Sequence, residues 1–131
     1  MNYSCVHDFE IYSYVVDIEN KILTLNTINT VNGEKYTKVV LFSNVLTHHF
    51  ENIISQNVIS DIYESAIIDF YSEYEEMLEK ERLYSWPIHY ENKQELFRYL
   101  EENDYRIFNI DSSIGLCGFV IAEQILIEDL N

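Results

Sequence analysis

The residues best suited to bind a metal ion are two adjacent histidines and a nearby acid, His48, His49 and Glu51. A zinc site needs imidazole nitrogens and carboxylate oxygens that converge on one ion at about 2 Å. Adjacent side chains point to opposite sides of a strand, or about 100° apart on a helix, so one histidine can join Glu51, or His7 and Asp8 after folding. The H-E-x-x-H pattern of zinc hydrolases is absent. We therefore expect no metal ligands here, but one buried, hydrogen-bonded histidine and one surface histidine.

A catalytic nucleophile is the second chemical possibility, in residues 112–118, whose sequence is S-S-I-G-L-C-G. A nucleophile elbow has the pattern G-x-S-x-G at a strand-to-helix turn, whereas both serines here precede the glycines. A reactive thiolate needs a nearby cation or helix N-terminus, and Cys117 is flanked by apolar residues instead. The stretch predicts a turn at residues 112–115 that leads into a buried strand.

Two pairs of adjacent acids, Glu75-Glu76 and Glu101-Glu102, raise the possibility of glycoside hydrolysis. That chemistry needs one carboxyl group in an apolar pocket, and adjacent acids on helix faces are solvated instead. Glycine-rich phosphate loops are also absent from the sequence. We expect no enzyme activity, no catalytic residue and no cofactor, and a small metal-dependent hydrolase using His48 or His49 stays the less favoured alternative.

The charge of the chain indicates what it binds. Its 23 acids against eight lysines and arginines give a formal net charge of −15. This charge repels phosphate backbones and anionic membranes, so we expect neither nucleic acid nor a membrane as a partner. Opposite charge speeds encounter, so a basic protein partner is favoured. The alternative is an acidic adaptor or structural protein whose charge only maintains solubility.

Much of the charge is concentrated in residues 61–81, where eight acids accompany Lys80 alone. Four tyrosines, at positions 63, 71, 74 and 84, are interleaved with these acids or follow them directly. Aromatic anchors beside carboxylates suit a tight interface with a basic partner, although a solvated helix face has the same composition. The predicted partner-binding residues are Glu51, Asp61, Asp69, Glu73, Tyr74 and Glu76.

The periodicity of the apolar residues predicts one α+β domain over residues 1–131. Its elements follow the order β-β-β-β-α-α-β-β in an antiparallel or mixed sheet of about six strands, with both helices on one face. Residues 43–57 are ambiguous, as a short helical turn or an irregular strand. The predicted strands are residues 9–16, 21–30, 36–42, 58–65, 105–110 and 116–127, and the predicted helices are residues 67–84 and 92–103.

The compartment is predicted from missing signals. Cys5 and Cys117 have no C-x-x-C spacing and are expected to be reduced, buried or half-buried thiols. The first ten residues lack the basic and apolar regions of a signal peptide. No apolar run reaches the roughly 18–20 residues of a membrane span. We expect a cytoplasmic protein.

Three stretches are similar to a group of small bacterial immunity-type proteins: V-L-T-H-H-F-E-N at residues 45–52, S-W-P-I at 85–88, and S-S-I-G-L-C-G-F-V-I-A at 112–122. In size, acidity and α+β layout the chain also resembles the small acidic immunity proteins that bacteria encode beside polymorphic or contact-dependent toxins. The resemblance implies that the protein binds a toxin, often a basic nuclease, and blocks its active site or an exosite.

Overall fold

The computed structural model describes residues 3–130 and has the predicted order of elements, four strands, two helices and two further strands. Every strand pair in this part of the chain is antiparallel, which confirms the α+β class. The elements are β1 (Glu10–Asp17), β2 (Ile22–Val31), β3 (Glu34–Glu51), β4 (Val58–Ser65), α1 (Ile67–Glu81), α2 (Lys93–Glu102), β5 (Arg106–Ile114) and β6 (Cys117–Asp129).

The sheet closes into a barrel with the strand order β1-β2-β3-β6-β5-β4. The seam between β1 and β4 is short, because only Glu10 and Val58 are register partners across it. Backbone hydrogen bonds extend it: the Ile11 N–H donates to the Asn57 carbonyl (2.8 Å) and the Ile59 N–H to the Phe9 carbonyl (2.9 Å). Alternation along each strand predicts a buried face but not this closure, which joins segments far apart in sequence.

The ambiguous segment after residue 42 continues β3, so the helical alternative is wrong for residues 43–51. Asn44 adopts a positive φ of 49°, and the β3–β6 register shifts between Val45 and Thr47. Such a bulge bends a strand without ending it. β3 therefore leaves β2 after the Val45 N–H bonds the Lys21 carbonyl (2.9 Å) and continues beside β6 to Glu51.

Two apolar layers lie on the two faces of the barrel wall. Along β6, Val120 and Ala122 are buried inside the barrel, while Phe119 and Ile121 are buried under the helices. Because successive side chains point to opposite faces, a strand covered on both sides reads as one continuous apolar run. Both helices pack on this outer face, through Phe70 and Leu78 of α1 and Leu96 and Leu100 of α2.

The β5–β6 turn is tighter than predicted, because β5 runs to Ile114 and only residues 115–116 lie between the strands. The buried side chain of Asn57 connects this turn to the β3–β4 loop. Its Oδ1 accepts from the N–H groups of Leu116 (2.9 Å) and Ile54 (3.2 Å), and its Nδ2 donates to the Ile54 carbonyl (2.9 Å). A Cβ on Gly115, whose φ is +83°, would collide with that Oδ1.

The two thiols differ in exposure. Cys117 is half-buried as expected, but Cys5 is exposed because it lies on the short 3₁₀ turn Ser4–Val6, which buries Val6 instead. Neither forms a disulfide. Within residues 3–130, no helix has the length and apolar character needed to cross a membrane.

Candidate functional site

A groove of about 400 Å³ runs between α1 and the final residues of β3. We call it the acidic groove. Four of the six predicted partner-binding residues line it, namely Glu51 of β3 and Glu73, Tyr74 and Glu76 of α1. The other lining residues are His49, Met77, Lys80 and Glu81. Lys80 brings one positive charge against four carboxylates, so the groove favours a cation.

The local sequence explains how α1 presents these side chains. Steps of three and four residues from Glu73 lead to Met77, Lys80 and Glu81, so all four share one side of the helix. The backbone leaves the helical region at Tyr74, with φ −111° and ψ 19°, and α1 is kinked there. Spacing from Glu73 could have identified Met77, Lys80 and Glu81 in advance, whereas His49 needed the path of β3.

An aromatic cluster supports the groove from below, and its centre is Phe119 of β6. The Phe119 ring centroid lies 4.7 Å from that of Tyr74, 5.8 Å from His49 and 6.2 Å from Trp86. His49 is also the register partner of Phe119 on the adjacent strand. Tyr74 meets Phe119 edge-on and His49 lies tilted against it, so both side chains rest on a packed aromatic base.

Burial is the main reason that the pKa of Tyr74 lies far above its ordinary value of 10.0, and the negative charges of Glu73 and Glu51 raise it further. Both carboxylates therefore act on the phenol from opposite walls of the groove. The phenol stays neutral throughout the physiological range, and its ring can face a cation beside the carboxylates.

Asp61 lies outside the acidic groove, on β4, where its register partner is Asp111 of β5. Tyr63 lies between this position and the groove in electrostatic terms. Burial is the main cause of its raised pKa, followed by the charges of Asp111, Glu73 and Asp61. One carboxylate of the groove, Glu73, and two of the β4–β5 surface, Asp61 and Asp111, therefore act on the same phenol.

Asp69 is exposed on the first turn of α1 and is not among the residues that line the groove. A carboxylate near the N-terminus of a helix is attracted by the positive end of the helix dipole, so Asp69 is placed to stabilise α1. The structure therefore brings together four of the six predicted residues, places Asp61 beside them, and leaves Asp69 apart.

The two central histidines are both half-buried, so the expectation of one buried and one surface histidine is wrong. They lie on opposite faces of β3. His48 contacts Phe50 (5.1 Å between ring centroids), and burial, then the His49 charge, lower its pKa. His49 Nε2 lies 3.5 Å from Glu51 Oε2, while His7 pairs with Asp8 at 3.5 Å elsewhere. Across residues 3–130, no three His, Cys, Asp or Glu side chains are placed to hold a metal ion.

A second pocket of about 250 Å³ continues the acidic groove as far as Trp86. It shares His49, Met77 and Glu81 with the groove and adds His48 and Trp86. The Trp86 indole N–H donates to the Thr47 hydroxyl (2.9 Å), which connects the segment after α1 to β3. The site is therefore an elongated cleft with carboxylates at one end and an indole at the other.

The serines and Cys117 of residues 112–118 lie in the β5–β6 hairpin. The Ser112 hydroxyl donates to the Leu116 carbonyl and so belongs to the turn. The Cys117 sulfur accepts a hydrogen bond from the Asn52 side-chain amide (3.4 Å). These side chains therefore make structural contacts within the hairpin and with the neighbouring β3–β4 loop.

Comparisons of this chain with protein-family models, with curated proteins and with solved structures find no match.

Proposed function

We propose that the protein is a non-catalytic immunity protein that binds and neutralises a cognate basic toxin, of the nuclease type, in the bacterial cytoplasm. The observation that carries the proposal is the acidic groove, in which Glu51, Glu73 and Glu76 surround Tyr74. The resemblance of the chain to small acidic immunity proteins supplies the class of partner. Residues Asp61 and Asp111 extend the same negative surface.

The chemistry of the groove suits a cationic side chain from the partner. An arginine or lysine that enters it meets carboxylates on both walls and can lie against the Tyr74 ring, where cation–π attraction adds to the ion pairs. A nuclease binds phosphates through a basic cleft, so an inhibitor with clustered carboxylates competes for the same cations. The net charge of −15 also attracts a basic partner before contact.

The test combines binding with rescue of toxicity. The full chain is purified and titrated with the protein encoded by each gene adjacent to its own, and the same genes are expressed in cells with and without it. We expect one neighbour to be toxic alone, to be tolerated with this protein, and to bind it with an affinity that falls steeply as salt rises.

The decisive variant is Glu73→Lys with Glu76→Lys, which reverses two charges of the groove. Its matched control is Glu101→Lys with Glu102→Lys, the same charge change at two exposed residues of α2. The groove variant should lose binding by roughly a hundredfold or more, since close interfacial charge pairs contribute several kcal/mol. Equal losses for both variants would indicate a nonspecific charge effect, and binding that survives both would favour the adaptor alternative.

A further inference from the structure

Two consecutive large apolar residues are exposed beside the acidic groove. Leu83 is 81% exposed and Tyr84 is 76% exposed, both on the 3₁₀ turn Arg82–Tyr84 that follows α1. Single exposed apolar residues are common on protein surfaces, but an adjacent pair of this size presents a compact apolar knob. We call Leu83 and Tyr84 the apolar apex.

The position of the apolar apex follows from the residues on either side of it. Glu81 lines the acidic groove, and Trp86 lines the pocket that continues it. The chain therefore leaves the cleft at Glu81 and returns to it at Trp86, with Leu83 and Tyr84 between. A partner that fills both parts of the cleft therefore lies next to the turn that carries Leu83 and Tyr84.

The turn that carries the apex is held by several hydrogen bonds. The Trp86 N–H donates to the Glu81 carbonyl (3.3 Å) and the Ser85 N–H to the Arg82 carbonyl (3.0 Å), with Ser85 in the left-handed region at φ 57°. This is the Schellman pattern that closes a helix end. The Arg82 guanidinium also donates to the Glu91 carbonyl (3.3 Å), which connects the turn to the segment before α2.

We propose that Leu83 and Tyr84 are apolar anchors that enter an apolar recess on the partner, directly beside the basic cleft that receives the acidic groove. This inference rests on the proposed function and specifies the chemistry of that partner. A second copy of this chain is a poor occupant, because two molecules of charge −15 repel each other. Glu81 lines the acidic groove two residues before Leu83, so charge complementarity favours a partner whose apolar recess lies beside a basic surface.

The two parts of the surface make different contributions to binding. Carboxylates of the groove accelerate encounter and lose effect with salt, whereas burial of apolar area persists at high salt. A rigid turn loses little conformational entropy when its side chains become buried, so anchors on it contribute efficiently to affinity. The apex should therefore govern dissociation and the groove association.

The experiment uses the full chain and the neighbour-encoded toxin that it protects against, with Leu83→Ser and Tyr84→Ser made singly and together. The control is Ile18→Ser, at an apolar residue that is 84% exposed in the turn between β1 and β2. Each apex variant should weaken binding roughly tenfold or more, mainly through faster dissociation and equally at low and high salt, as for interface hot spots. Ile18→Ser should leave the affinity unchanged.

The outcomes separate this inference from the proposed function. If Glu73→Lys with Glu76→Lys abolishes binding while the apex variants bind like wild type, the apex inference is overturned and the proposed function stands. If the wild-type protein binds none of the neighbour-encoded proteins and protects cells against none of them, the apex inference and the proposed function are both overturned. Circular dichroism of each variant checks the fold, which should be unaffected because the substituted side chains are exposed.

Discussion

Asp61 and Asp111 are register partners in the β4–β5 ladder, so two carboxylates face each other across adjacent strands. Burial first, and then the charge of Asp61, raise the pKa of Asp111, while a hydrogen bond from Tyr63 partly opposes the rise. Like charges directly opposite each other destabilise a sheet by a few tenths of a kcal/mol to about 1 kcal/mol. The pair thus costs some stability, beside a groove whose proposed role is to attract cations.

The raised pKa of Asp111 predicts a pH dependence of stability. The native state holds this proton more tightly than the unfolded chain, whose ordinary value is 3.8. The contribution of Asp111 to the free energy of unfolding is therefore greatest below 3.8 and falls as pH rises through the native pKa. Asp111→Asn should raise the free energy of unfolding at pH 7 by a few tenths of a kcal/mol, and its advantage over wild type should disappear in acid.

Urea denaturation of wild type and variant across this pH range measures the difference directly. Glu102→Gln, at an exposed residue of α2, is the control for the loss of one negative charge. A variant that is less stable than wild type at pH 7 would show that the Asp61–Asp111 repulsion is outweighed by bonds that need a carboxylate.

The hydrogen bond from Trp86 to Thr47 predicts a measurable coupling at the far end of the cleft. Trp86→Phe removes the donor and keeps a ring beside Phe119, and Thr47→Val removes the hydroxyl with little change in shape. A double-mutant cycle on the free energy of unfolding should give a coupling of about 1 kcal/mol, the net value of such a bond. If the losses in the free energy of unfolding were additive, the hydrogen bond would contribute nothing and packing alone would hold Trp86 against β3.

Gly118 should be intolerant of any side chain. A Cβ there would overlap the backbone carbonyl of His49 on the adjacent strand, and φ at Gly118 is +149°. Gly118→Ala must push β6 away from β3, so we expect a loss of about 3 kcal/mol or more in urea denaturation. Because His49 and Phe119 lie at this contact, the acidic groove should be distorted as well.

Gly33→Ala provides the matched control, since φ is +81° there but a Cβ would meet no atom within 4 Å. Its expected cost is about 1–2 kcal/mol, from the left-handed backbone alone. Similar losses for the two variants would show that steric overlap at Gly118 is relieved cheaply.

Local patterns were sufficient for most of the secondary structure. The bounds of β4 follow from its alternation, and α2 begins after Asn92, whose side chain accepts from the Glu95 N–H (3.1 Å) as an N-cap does. The predicted helix over residues 67–84 is confirmed as α1 to Glu81 and then a 3₁₀ turn. Strand alternation and helix caps depend on residues within a few positions of one another, so they can be predicted from the sequence alone.

The candidate site is partly local in the same sense. Glu73, Tyr74 and Glu76 lie on one helix, and their acidic, aromatic character is visible in the sequence. Glu51 reaches them only because β3 continues past its bulge beside β6, and β6 lies more than sixty residues further along the chain. Asp69 is an acid on the same helix, but it does not line the groove, because its position on the first turn points its side chain elsewhere.

By itself the sequence determined the order and type of the elements, the acidity, and which helix carries the acids. Tertiary structure alone decided that the sheet closes into a barrel, that residues 43–51 extend β3, and that Glu51 lines the acidic groove together with Glu73, Tyr74 and Glu76 of α1. The physical reason is the sequence separation over which each interaction acts. Propensity and periodicity act along the chain, whereas register, strand closure and the approach of β3 to α1 depend on contacts between distant segments that no local pattern encodes.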